Sequence, residues 1–417
     1  MVRIAMVTTF FPPYNFGGDG IGVQRLSAAL ARRGFDVTVI HDADAYLHLA
    51  KAAPQAVPPP PGVKVIALKS PLGVAASFAT HQLGRPVAHH ARLKTLLSRR
   101  NADVTWIHNA SLVGGPGLFA MGEGVRLYEA HEHWLVCPTH VLWRYNRETC
   151  DARDCLRCTL SYKRPPQLWR ATGMLEREAA HIDAFIAKSA FSRDAHRRFG
   201  FPYDMNVVPY FLPDENDPPH AAAAPAHDKP FFLFVGRLEK IKGVQDILPA
   251  FAGQDGPDLV VIGDGEYAAT LRAQARELPR VRFLGRKPPE ALSPYYRDAL
   301  ALITPSLCFE TFGIVLIEAF RRGLPVIARK LGPFPDIVRD SGAGFVFETA
   351  GDLAAAMTQL AQDGALRARL GEAARASFRA RWSEAAVMRQ YLDVLAQAAD
   401  KRGDRRLVDS VKERAAA

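Results

Sequence analysis

Apolar residues in this chain come in short, nearly unbroken runs separated by amphipathic stretches, and the alternation repeats in both halves. In the first half RIAMVTTF, DVTVI, VKVIAL, VTWIHNA, VRLYEAH and AFIAKS have the length and composition of strands. GVQRLSAALARRG, after the first of them, has the spacing of an amphipathic helix. In the second half FFLFVGR, DLVVIGDG, VRFLG, ALALITPS, LPVIARK and GFVFE are almost wholly apolar. Such runs suit strands covered on both faces, as in a parallel sheet with crossover helices. Between the halves, LPDENDPPHAAAAPAHDKP offers nothing to pack and reads as a linker over residues 213–229. The pattern predicts an α/β chain with one doubly wound domain over 1–212 and a second over 230–387. A helical tract from Asp352 to about Ala399 breaks near Gly364 and Trp382. Its last part, from residue 388, is expected as a C-terminal helix returning to the first domain, and the charged end as a frayed tail.

Composition narrows the class. The chain has 417 residues, 48% hydrophobic and 23% charged, as in soluble globular proteins. No apolar run reaches the roughly 20 residues of a membrane span. The N-terminus enters a strand pattern directly and lacks a small-residue cleavage site, so a cytoplasmic protein with reduced cysteines is expected. The net charge of +10 is uneven: residues 1–212 carry 25 Lys and Arg against 16 Asp and Glu, and the remainder 28 against 27. An acidic partner is therefore expected at the first half, either a phosphate, a lipid headgroup or nucleic acid. RPVAHHARLKTLLSRR could lay Val87, Leu93, Leu96 and Leu97 on anionic lipid at the inner membrane face, or pack them against the sheet. A basic nucleic-acid-binding protein is the reading from another class. No binding module and no interleaving of cations with aromatics supports it, so no nucleic acid is expected.

The second half places polar or glycine-rich turns at its strand ends, where open α/β sheets bind ligands. VGRLEKIKG sets Arg237 and Lys242 five residues apart between Gly236 and Gly243, an arrangement suited to a diphosphate. VIGDGE supplies Gly263, Asp264 and Gly265. In SLCFETFGIVLIEAFRRG, Glu310 lies just before a helix capped by Gly323, so its carboxylate and the amides of Thr311, Phe312 and Gly313 face one pocket. Glu318 follows eight residues later, about 12 Å along an ideal helix. Glycosidase carboxylates stand roughly 5–9.5 Å apart, so two stations along one extended ligand fit better than a hydrolytic pair.

This ordered set, completed by GLPVIARKLGPFPDIV, resembles the retaining nucleotide-sugar glycosyltransferases of family 4, and the similarity covers almost the whole chain. The resemblance implies the GT-B fold, two Rossmann-like parallel-sheet domains facing a central cleft. It implies a nucleoside diphosphate sugar as co-substrate, a glycan, glycolipid or small-molecule acceptor, retention at the anomeric carbon and no catalytic metal. By the same match Arg237 and Lys242 would neutralise the leaving diphosphate, Glu310 with the Phe312 and Gly313 amides would grip sugar hydroxyls, Glu318 would take the ribose, and Arg286 would lie beside the base. The alternative within the fold is a nucleotide-sugar epimerase, which needs no acceptor.

FFPPYNFGGDGIGVQRLSAALARRG resembles the family's first loop and helix, with Gly17 and Gly18 letting amides approach the donor and the helix starting near Gly22. Asp19 departs from that role, because an acid repels phosphate; it faces the acceptor or caps the helix instead. In YEAHEHWLVCP the match puts His131 near the donor sugar and the acceptor, as a catalytic candidate. Cys137, Cys150, Cys155 and Cys158 fall within 22 residues, ending in Cys-x-x-Cys. A structural zinc site, reduced thiols, and an iron–sulfur or redox pair are the alternatives in a reducing compartment.

Overall fold

The computed structural model describes residues 1–50, 54, 57–213 and 225–416. Most of the expected linker therefore lies outside the described residues. The chain forms two compact units: residues 1–141, 152–211 and 387–417 in one, residues 142–151 and 212–386 in the other.

The first unit holds a seven-stranded parallel sheet. Its strands are β1 (Arg3–Thr8), β2 (Asp36–Asp42), β3 (Val63–Leu68), β4 (Val104–Ile107) and β5 (Val125–Ala130). A short antiparallel hairpin, β6 (Trp143–Arg144) with β7 (Glu148–Thr149), belongs to the second unit. β8 (Ala184–Ala187) and β9 (Met205–Val207) complete the first sheet, in the order β3-β2-β1-β4-β5-β8-β9. The second unit holds β10 (Phe231–Val235), β11 (Asp258–Ile262), β12 (Val281–Phe283), β13 (Leu302–Thr304), β14 (Val326–Arg329) and β15 (Gly344–Phe347), ordered β12-β11-β10-β13-β14-β15. Both sheets start from an inner strand, run outward, then return to its other side. That reversal is the doubly wound topology, and it opens a crevice at the strand C-termini between β1 and β4 and between β10 and β13.

The twelve apolar runs all become strands, because helices cover both faces. β11 is buried at every position. β9 has only three residues and one fully buried side chain, too little to stand out in the sequence. Residues 350–362, 364–381 and 384–401 are helices that meet at the expected breaks.

Two expectations need correction. The charged end is not frayed: Arg405–Ala416 is a helix, with Leu407, Val408 and Val411 buried in the first unit's core and Arg414 over the Phe35 ring. Its three apolar residues share one face, and burying that face repays the ordering of the chain. The first helix begins at Gly18, four residues early, with Gly17 as its N-cap. Gly22 sits inside this helix because the Tyr210 ring lies against it; a Cβ there would be 2.5 Å from that ring.

Of the two readings of RPVAHHARLKTLLSRR, packing holds for Leu93 and Leu97, which are fully buried beside the short helix His90–Leu96, whereas Val87 is exposed. Among the described residues no helix is long and apolar enough to cross a membrane.

Candidate functional site

The second unit's switch point is assembled by backbone before any side chain acts. After β10 the chain makes a 3-10 turn, Lys240–Lys242, closed by Gly243 at φ +74°. A Cβ on Gly243 would lie 2.0 Å from the Pro305 carbonyl oxygen, so only glycine lets this turn press on the loop after β13. The Leu307 amide donates to the Ile241 carbonyl at 2.8 Å and locks the two loops together. Gly263 after β11 serves the same end: at φ +150° its missing Cβ would be 1.8 Å from the Gly236 carbonyl oxygen. Leu238 donates to the Asp264 carbonyl at 3.0 Å, and Gly263 donates to Gly285 at 2.9 Å. Gly263 thus serves loop-to-loop packing.

On this frame the Lys242 ammonium reaches Glu310 Oε1 at 2.7 Å, and Ser306 Oγ donates to the same oxygen at 2.9 Å. Lys242 and Glu310 come from opposite sides of the switch point, and their side chains keep 20% and 22% of their exposure, enough to meet a ligand. Burial alone would lower the Lys242 pKa, yet the Glu310 charge beside it leaves it raised. Burial would raise Glu310; the Lys242 charge and the hydrogen bonds from Lys242 and Ser306 hold it below the ordinary carboxylate value. Lys242 is a cation and Glu310 an anion throughout the neutral range. Cys308 is buried beside them, and burial, then the Glu310 charge, pushes its thiol up to about 12.

Arg237 is half exposed and pairs with Glu239 of its own loop at 2.6 Å. Its charge acts on both Lys242 and Glu310. Glu318 lies on the helix Ile314–Arg322, which runs from Gly313 at φ 118° to Gly323 at φ 72°. Glu318 Oε2 accepts a hydrogen bond from the Tyr296 hydroxyl at 3.0 Å. Phe312 is buried and anchors the loop carrying Glu310, Thr311 and Gly313. Arg286 is exposed in the loop after β12, next to Gly285. Ser306 and Tyr296, which orient the two glutamates, carried no signal in the sequence, since a lone loop serine or helix tyrosine has many uses.

In the first unit, Gly17 caps the helix Gly18–Arg32 and donates its amide to Asn15 Oδ1 at 3.4 Å. Asp19 falls in the first helical turn, where a negative charge is favoured, and accepts from Asn109 Nδ2 at 3.5 Å. His131 is buried. Its Nε2 stands 2.9 Å from His108 Nδ1 and its Nδ1 2.5 Å from the Tyr210 hydroxyl. Both ring nitrogens are engaged by protein, and burial, against the opposing Glu129 charge, holds the imidazole neutral. As placed, the ring offers no atom to a substrate. Behind it Glu129 pairs with the Lys188 ammonium, and the Tyr391 hydroxyl donates to Glu129 at 2.8 Å. Burial would raise the Glu129 carboxyl, but the Lys188 charge and its hydrogen bond hold it down to about 2.

Of the three alternatives for the cysteines, the structural zinc site gains no support from the structure. None of Cys137, Cys150, Cys155 and Cys158 forms a disulfide. A zinc tetrathiolate, with bonds of about 2.3 Å, holds its sulfurs about 3.8 Å apart. Among the described residues, Cys137, Cys155 and Cys158 do not all three lie within 4.8 Å of one another. Cys137 Sγ lies instead 3.3 Å from Thr139 Oγ1.

Comparison with known proteins decides the family. Residues 17–210 match the glycosyl transferase 4-like domain and residues 217–377 match glycosyl transferases group 1. The D-inositol 3-phosphate glycosyltransferase of Xylanimonas cellulosilytica is 30% identical over 438 residues, covering 96% of this chain and 98% of its own. The chain belongs to this family of glycosyltransferases. The phosphatidyl-myo-inositol mannosyltransferase of Mycobacterium leprae is 36% identical over 171 residues, 38% of this chain and 45% of that one. The sucrose-phosphate synthase structure from Thermosynechococcus elongatus superposes with TM-score 0.72 at 20% identity, covering 96% of this chain and all of that one. Anabaena Alr3699/HepE, solved with UDP and glucose, has TM-score 0.64 at 18% identity, covering 95% and 100%. These neighbours share the GT-B fold of this glycosyltransferase. The relatives are transferases, which removes the epimerase alternative.

Proposed function

We propose that this glycosyltransferase moves a sugar, with retention, from a nucleoside diphosphate sugar to a hydroxyl of an acidic acceptor. The single observation carrying the reading is the Lys242–Glu310 pair fastened across the β10/β13 switch point. Lys242 and Arg237 lie where two cations can neutralise a leaving diphosphate, Arg forking two oxygens and Lys acting as a point charge. Glu310 and the Thr311, Phe312 and Gly313 amides then hold sugar hydroxyls, and Glu318 the ribose. Gly263 and Arg286 border the base through backbone contacts, and Gly17 and Gly18 face the phosphates. The bond from the anomeric carbon to the diphosphate oxygen breaks, and the acceptor oxygen bonds the same carbon from the same face. The acceptor proton passes to the departing phosphate oxygen. His131 then acts through its backbone and its packing on Tyr210.

The donor class is supported by the UDP complexes of the Anabaena neighbour. An acidic acceptor, in glycolipid or polysaccharide synthesis, is supported by the cationic first half and by relatives named for inositol phosphate and phosphatidylinositol. Proton NMR of the product formed from an α-linked donor tests the stereochemistry. An α-linked product is expected, and a β-linked one overturns retention.

A further inference from the structure

Two groups of three buried metal-ligand side chains occur among the described residues, both in the first unit: His108, Glu129 and His131, and Asp42, Asp44 and His89. In each, one donor atom per residue lies within 4.8 Å of the others. They differ in charge balance. The first group contains its own cation, since the Lys188 ammonium sits on Glu129. The second has none.

Asp42 ends β2 and is 1% exposed. Its Oδ1 accepts the amides of Asp44 at 3.0 Å and Ala45 at 3.1 Å, which opens the helix Ala43–Ala50. Asp44 is also buried; its Oδ2 accepts the Ser70 amide at 2.7 Å and lies 3.9 Å from His89 Nε2. The His89 side chain keeps 7% of its exposure, and its Nε2 is buried without a hydrogen-bond partner. Lys69 and Arg92 are exposed, and among the described residues no Lys or Arg pairs with either carboxylate. Two carboxylates buried side by side without a cation are costly, and so is an imidazole nitrogen buried unpaired and aimed at them. One divalent ion removes all three costs at once.

We propose that Asp42, Asp44 and His89 bind a divalent first-row metal ion. Two carboxylates balance its charge and His89 supplies the nitrogen, a set that suits manganese or zinc. Ligand oxygens and nitrogens at about 2.0–2.2 Å from one ion stand closer together than these atoms do, so binding draws them inward by an ångström or less. The ion joins the end of β2 and the first turn of Ala43–Ala50 to the segment entering His90–Leu96. It is a structural staple, separate from the transfer chemistry of the second unit.

Manganese is the probe of choice, because thiolates prefer softer ions and the four cysteines then do not compete. The full chain, stripped with EDTA and free of nucleotide, is titrated with Mn²⁺ while the free ion is counted by its EPR signal. One bound ion per chain is expected for the wild type and for His108→Ala. Loss of at least tenfold in affinity is expected for His89→Ala and for Asp44→Asn; the latter can still accept the Ser70 amide and so preserves the fold. Absence of stoichiometric binding in the wild type overturns the proposal. So does binding unchanged in both variants, or binding lost in His108→Ala alone.

Discussion

Lys242 and Glu310 hold each other's charge, and that fixes how the site responds to pH. Glu310 titrates below the ordinary carboxylate value of 4.5. For a depressed acid, the stabilisation is complete above the unfolded-state pKa and is lost as pH falls through the folded one. The melting temperature of the wild type should therefore exceed that of Glu310→Gln by a constant margin from pH 7 to pH 5, and the margin should shrink only below about 4.5. A margin already gone at pH 6 contradicts the pairing. Removing Lys242 should cost turnover more than folding: Lys242→Ala is expected to lower kcat by about 10²–10³, the usual loss for one charge-stabilising donor at a reacting centre. Initial-rate measurement with saturating donor checks it, and a loss under tenfold counts against the role. The glutamate spacing and the cation spacing were legible in the sequence. The glycines were legible only as turns, because the carbonyl oxygens that exclude a Cβ at Gly243 and Gly263 come from distant segments.

At the scale of elements, the C-terminal helix Arg405–Ala416 carries the sharpest prediction. Leu407 is 3% exposed in the first unit's core, so Leu407→Ala should destabilise that unit by about 2–5 kcal/mol, read by urea unfolding. Unchanged stability would mean the helix is not docked. Here the sequence misled, because three apolar residues among so many charges read as solvated until a partner surface supplies the other half of the contact. The strands were the reverse case. Covered on both faces, they must be apolar at nearly every position, so their existence and order of appearance could be read directly. The buried group of Glu129, Lys188 and Tyr391 was invisible for another reason: its members lie far apart in the chain, and each alone has an ordinary surface reading.

Along the whole chain, charge and motif divide between the two halves of the sequence. The excess of cations lies in the first 212 residues, whereas the matched motif set for the donor lies in the second half. The family was legible from that motif set; the cysteine cluster suggested zinc among its alternatives, and the folded positions of the thiols lend it no support. The central claim is that Lys242, Glu310 and Glu318 on the second unit form the nucleotide-sugar station. The most direct measurement is a thermal-shift panel of nucleoside diphosphate sugars on the wild type, Lys242→Ala and Glu318→Ala, each compared with its own ligand-free melting temperature. At a hundred times its dissociation constant a true donor adds about 2.7 kcal/mol of stability. The account predicts such a shift for at least one donor in the wild type and its disappearance in both variants. A donor shift that survives undiminished in both would contradict it.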